Sequence, residues 1–419
     1  YSSRRAMAIS TPVARWEPVS LRLRRLFELE LLDNRYPALH GLRVVGIVLV
    51  LQYHVTQSLV LVTKLPMDRG WAMLSMAIFF GMDLFFVLSG FLIGSILMRS
   101  LETVAPGYLR RFYLRRAFRT FPSYYVVLTV LVATTALTVT QRHNLPYDYT
   151  YLTNYRAAGI PTGVDPLASN AGDAHPQDSI MPWGWSLCVE EHFYFLIPFL
   201  FIGLRRLKTD AGRLGVLIGL YLFAPLCRLA LYLHDPASLG TAYVRTHTRL
   251  DTLVGGVLIA YVHHRWGDRL RRWLEAPLAR AVIAVPTLGC LWILLNPGVF
   301  PDPSLGSVFD WGTFSSLMYF GLILLLLNGG DGWLPRALSA PLFRRIATLG
   351  YGVYLVHIPV CYVIINPGAT ALVQRWGWPM GVVWPLSLAA LIGGSLLVAY
   401  AMHVVIEKPS LRLRDRVAG

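Results

Sequence analysis

Two ionisable side chains stand inside stretches otherwise apolar enough for a bilayer: His54, closing the run from Arg43, and Glu190, within the run Trp185–Tyr194. A charge or imidazole in hydrocarbon costs several kcal/mol unless paired or solvated, so each is a functional candidate by default. Imidazole is the side chain best matched to proton transfer near neutral pH, which makes His54 a candidate base. Arg43 lies eleven positions earlier on the same predicted helix, roughly 16 Å away, too far to touch it. A carboxylate near an imidazole could orient the ring and stabilise its charged form, a role open to Glu190. The bland alternatives are a snorkelling Arg43, a hydrogen-bonded core His54, and a structural interhelical bond for Glu190.

Glu191 points about 100° away from Glu190 on a helix, so at most one of the two faces the interior. Asp83 and Ser89 share the apolar run Gly81–Gly90, where a pore-facing carboxylate and a packing hydrogen bond are both open readings. Gly90 and Gly94, four apart, predict a close helix approach. Arg249 and Asp251 could pair with each other or hold an acceptor. The segment Arg110–Pro122 carries Arg115, Arg116 and Arg119. Guanidinium groups three and four apart suit phosphate oxygens, although an orientation signal and lipid headgroups would also explain them.

The elements that position these residues follow from composition. The 419 residues are 55% hydrophobic and 15% charged, with a mean hydropathy of +0.50, which predicts an all-α polytopic membrane protein. About ten apolar runs of spanning length are predicted, near 44–63, 72–98, 121–140, 184–204, 214–233, 247–264, 279–296, 311–328, 347–366 and 382–405. Arginine and lysine concentrate after the second, fourth, sixth and eighth runs. The positive-inside rule then predicts that those loops and both termini are cytoplasmic. The net charge of +15 is therefore orientation information, and no nucleic-acid partner is expected. Residues 1–35 lack an apolar core of signal-peptide length, so the first span is expected to direct insertion. The four cysteines are widely spaced in apolar context and predict neither a metal site nor a disulfide framework. The connection 141–182 is rich in Pro, Gly, Asn and Asp and falls outside, either as a lid or as an insertion.

Six stretches together resemble the acyltransferase 3 family of membrane acyltransferases. They are Tyr36–His54, Asp83–Ile93, Arg115–Pro122, Trp185–Tyr194, Leu349–His357 and Ile406–Pro409. The resemblance covers about 36–412, between a basic cytoplasmic segment 1–35 and a tail 413–419. It implies transfer of a short acyl group, most simply acetyl, from acyl-CoA to a hydroxyl of a glycan, glycolipid or similar acceptor, in a bacterial inner membrane. Acyl-CoA is then a co-substrate, with no permanently bound cofactor and no metal. The resemblance makes His54 the catalytic histidine with Arg43 its partner, makes Glu190 the essential acidic residue, and links Arg116 and Arg119 to acyl-CoA; with Arg43 and Arg115 added, these arginines are the expected donor set. Asp83, Ser89, Trp185, Glu191 and Arg249 form the candidate substrate-binding set. The chain departs from the family pattern at His40, usually Asp, and His192, usually Gln. A transporter using buried charges as a proton relay is the alternative, but neither inverted repeats nor paired broken spans are evident. Cysteines placed at Arg110 and Ile160 should be labelled from opposite sides of sealed vesicles. Labelling from the same side overturns the predicted topology.

Overall fold

The computed structural model describes residues 27–77, 80–99, 107–156, 179–296, 299–300, 303–330 and 332–417. Among these, ten helices of 14 residues or more build the molecule and no strand occurs. They are α1 (Pro37–Gln57), α2 (Gly81–Arg99), α3 (Tyr108–Thr134), α4 (Trp185–Arg205) and α5 (Asp210–His234). The rest are α6 (Leu250–Trp273), α7 (Pro277–Leu295), α8 (Ser315–Asn328), α9 (Pro341–Val360) and α10 (Met380–Met402). Hydrocarbon cannot satisfy a free backbone N–H or C=O, so apolar runs of this length close their bonds internally as helices. Eight of the ten belong to helices long and apolar enough to cross a membrane. Of the two others, α8 ends the shorter apolar helix Gly312–Asn328. The second half of α6 is polar, from His263 to Arg272.

Several boundaries differ from the sequence expectation. The run 72–98 is divided into Arg69–Ala77 and α2. The start of α2 packs hard on α1: a Cβ at Gly81 would stand 2.6 Å from the Leu49 Cβ. Helix α3 begins about a dozen residues earlier than the hydrophobic run, after Gly107 at φ 73°. The arginines expected in a loop and helix start are thereby carried on the first turns of α3 itself. The connection after α3 is partly ordered by the helix Val139–Tyr149, whose start is a capping box of Thr138 and Gln141. Asp148 accepts from Thr153 Oγ1 at 2.6 Å and Ser179 Oγ at 2.7 Å, bringing 148 and 179 together. Burial pushes the Asp148 carboxyl up, while those bonds favour its charged form. The part of the expected lid between 157 and 178 lies outside the described residues, as do 1–26 of the basic segment.

Residues 27–35 do not stand apart from the bundle. They cross the arginine-rich end, held through their backbone: Tyr400 donates to the Phe27 carbonyl at 2.7 Å and Lys408 to that of Glu28 at 2.6 Å. The Glu30 N–H donates to His403 Nε2 at 3.2 Å, and Arg344 Nε to the Leu32 carbonyl at 2.8 Å.

The tightest pairing is α2 on α6. Gly90 lies against the Leu253 carbonyl, Gly256 against Val87 and Phe91 backbone atoms, and Gly94 against Val257 and Ala260. Small residues let two helices meet backbone to backbone, which is how membrane helices gain van der Waals contact. A methyl at Gly90 would overlap backbone that has no rotamer to change. Gly90→Ala should therefore cost on the order of 1–3 kcal/mol or more, read as lost thermal stability in detergent. Gly289→Ala, with no atom within 4 Å of the added carbon, should leave stability within error of wild type.

Candidate active site

A cavity of about 340 Å³ opens at the arginine-rich end between α1, α2, α3, α4 and α9. Ile47, Met82, Phe85, Leu92, Ile93 and Leu187 supply apolar wall, and Arg43, Arg116 and Arg119 project into it, with Arg35 and Arg99 also lining it. Among the described residues none of Arg43, Arg116 and Arg119 is ion-paired. Like charges gathered against an apolar wall repel each other and lose solvation, so the cavity favours an anion. The Arg116 guanidinium lies flat over the Tyr194 ring, 3.6 Å from its centre. Arg115, expected to join the donor set, is exposed and does not line the cavity. Looking down α3, Arg119 falls between the directions of Arg115 and Arg116; the cavity faces the Arg116 side and Arg115 falls beyond its other edge.

Glu190 also lines the cavity, but no arginine holds its carboxylate. Ser89 Oγ donates to Oε1 at 2.7 Å and the Tyr194 hydroxyl to Oε2 at 3.0 Å. Glu191 instead lies beside Thr120 and Arg116 on the α3 side and is not on the cavity wall. His40 lines the cavity as well, buried, with neither ring nitrogen hydrogen-bonded.

His54 does not line this cavity. Its Nδ1 is 2.9 Å from the Val50 carbonyl. A carbonyl can only accept, so Nδ1 carries the proton and Nε2 keeps the free lone pair, the form a base or nucleophile requires. Neither Glu190 oxygen bonds it. The rings against it are Tyr53, with centres 5.2 Å apart, and His357 at 4.8 Å. The cavity wall includes Tyr354, whose ring centre is 5.3 Å from that of His357.

Three of the five residues expected to bind substrate have another occupation. Arg249 and Asp83 form a fully buried ion pair. Asp83 also accepts from Ser315 Oγ at 2.5 Å. The Arg249 guanidinium faces the rings of Tyr243 at 4.9 Å, Phe86 at 5.6 Å and Trp185 at 6.0 Å. Asp83 and Arg249 are thus the inside of the bundle and not an open acceptor surface, while Trp185 is half-buried beside them. Arg249 does not pair with Asp251 as the sequence suggested. Asp251 takes Arg228 at 2.6 Å and Thr313 Oγ1 at 3.0 Å. Arg228 was missed because it stands alone in an apolar run, and its isolation was the available signal. Tyr194, Tyr354 and His357 were quoted only as parts of motifs; their periodic placement beside Glu190 and in the stretch Leu349–His357 was the signal.

A family profile described as an acyltransferase domain matches residues 36–404. The chain belongs to that family, the acyltransferase 3 family. Its relatives include a peptidoglycan O-acetyltransferase of Listeria monocytogenes, 26% identical over 77% of this chain and 49% of that protein. A putative peptidoglycan O-acetyltransferase of Bacillus subtilis is 26% identical over 90% of this chain and 55% of its own length. A putative O-acetyltransferase of Staphylococcus aureus is 23% identical over 77% and 50%. The chain spans about half the length of these relatives. No solved structure matches it. As a family member with apolar helices of spanning length, it is an integral membrane protein of bacterial type.

Proposed function

We propose that this protein is a membrane O-acetyltransferase that moves an acetyl group from acetyl-CoA to a glycan hydroxyl, with His54 at the reacting centre. The observation that carries the reading is three unpaired arginines, Arg43, Arg116 and Arg119, converging on one apolar-walled cavity. Phosphate oxygens would supply the missing counter-charge, and two planar guanidinium forks on one face of α3 suit them. Arg43 and His54 are separated by roughly 16 Å along α1. A donor with its reactive carbonyl beside its phosphorus cannot serve both ends. Acyl-CoA, with a phosphate head and a long arm ending in a thioester, has the required shape.

In this reading the phosphates rest on Arg116, Arg119 and Arg43, and the arm runs along Ile47 toward His54. The free Nε2 of His54 takes the proton of the acceptor hydroxyl as that oxygen attacks the acyl carbon. The carbon–sulfur bond breaks and the thiolate leaves, to be reprotonated from imidazolium. Direct attack by Nε2 on the thioester is the covalent variant of the same geometry. Glu190, held by Ser89 and Tyr194, contributes negative charge deep in the cavity and limits how far an anion can enter. The names of the relatives point to a cell-wall glycan as acceptor.

His54→Ala should abolish transfer from labelled acetyl-CoA in a folded, inserted protein, since bases of this kind contribute about 10²–10⁴-fold. Retention of more than about a tenth of the activity removes His54 from the reaction centre. Arg116→Lys keeps the charge and loses the fork, and removing one charge-assisted contact is worth roughly 1.5–3 kcal/mol. The acetyl-CoA KM should therefore rise about tenfold or more, with a smaller change in kcat. An unchanged KM returns Arg116 to orientation and packing.

A further inference from the structure

The side chain facing His54 is not the expected carboxylate. Glu190 is satisfied by Ser89 and Tyr194, and the group against the His54 ring is His357 on α9, edge to face at 61°. Among the described residues the titratable rings packed on His54 are Tyr53, from its own helix, and His357. His357 has no exposed surface. Its Nδ1 lies 2.6 Å from the Tyr354 carbonyl, which fixes the proton on Nδ1, as in His54, and leaves Nε2 with a bare lone pair. That Nε2 is buried and has no hydrogen-bond partner. An orphaned buried acceptor is costly, and a native structure keeps one where another state of the molecule uses it.

We propose that His357 is the positioning residue of the reaction: its Nε2 receives an N–H of His54 whenever His54 is charged. The inference rests on the reading of His54 as the reacting group. While His54 is neutral it has no second N–H to give, and the two rings meet edge to face with the His357 Nε2 unbonded. When His54 gains a proton from the acceptor hydroxyl, its new N–H finds the vacant lone pair of His357. A small ring adjustment turns the edge contact into an N–H···N bond. The proton stays on His54 and later leaves with the departing sulfur, so His357 ends each cycle unchanged. A neutral imidazole in this place stabilises imidazolium without holding it permanently charged in the bundle, as a buried carboxylate would.

The surroundings of His357 hold it in this orientation. Pro359 has no N–H to offer the Leu355 carbonyl, and the Trp183 indole donates to that carbonyl instead, at 3.2 Å. The Trp183 and Tyr354 rings flank His357 at 6.5 and 5.3 Å.

The test uses two substitutions that divide the imidazole. His357→Asn keeps a donor where Nδ1 stands and removes Nε2; His357→Gln places an acceptor oxygen near Nε2 and loses the Tyr354 bond. With acetyl-CoA as donor, His357→Asn should lower kcat on the order of 10–100-fold at nearly constant donor KM, the value of one charge-assisted hydrogen bond. His357→Gln should recover part of that loss. A purely structural role predicts the reverse order, with Asn the better variant, and that order overturns the proposal. A wild-type protein inactive with acetyl-CoA defeats the donor reading only. The pair is then decided by ¹⁵N resonances of its labelled histidines. His54 should titrate about one pH unit or more away from wild type in His357→Asn and less in His357→Gln. An unshifted His54 overturns the inference.

Discussion

Everything in this bundle depends on the cost of taking charge out of water. Arg249 with Asp83 and Arg228 with Asp251 are two ion pairs without exposed surface. Such pairs gain little over apolar packing, yet losing one partner strands the other in a medium that cannot solvate it. Their role is therefore one of register. Asp83 on α2 must meet Arg249 at the start of α6, and this match sets where Gly90 and Gly256 fall across the same interface. Asp251 and Arg228 then fix α5 against α6, with Thr313 adding the segment that enters α8. The same accounting leaves Arg43, Arg116 and Arg119 without an ion pair among the described residues, so the bundle separates charge paired internally from charge that lines a cavity.

Much of this was legible in the sequence. Apolar runs located the ten long helices, because hydrocarbon admits little other backbone structure. Gly90 and Gly94 announced the close approach of α2. What the sequence could not give was partner identity. Arg249 and Asp251 are near neighbours and invited pairing, yet residues two apart at the start of a helix point in different directions, and each found its counter-charge on another helix. Arg115 is indistinguishable from Arg116 by type and differs only in direction from the axis of α3. Glu190 and His54 look like natural partners in one dimension, but Ser89 and Tyr194 reach the carboxylate first. His357 was visible only as the end of a motif, since its significance is a contact across more than 300 residues of chain.

The two histidines also differ from the arginine cavity in how they treat solvent. The cavity is open at the arginine-rich end, where Arg43, Arg116 and Arg119 line it. His54 and His357 sit beyond Tyr354 among Trp183, Tyr53 and apolar side chains, where a neutral imidazole is stable and a charged one needs help. Arg43 and His54 thus occupy environments of different polarity on the same helix α1, one near its start and one near its end.

The segment 27–35 has a consequence for how this protein can vary. The hydrogen bonds that α9, α10 and the turns after α10 make to it through Arg344, His403, Lys408 and Tyr400 fall on its main-chain atoms, and Arg412 adds a long ion pair of 3.7 Å to the Glu30 side chain. The instructions for its path are therefore written in distant side chains and hardly at all in its own. Its residues can drift while its course across the cavity mouth is preserved. Those that also line the cavity, Leu32, Asp33 and Arg35, can change what the mouth presents to a ligand without rebuilding the wall behind it.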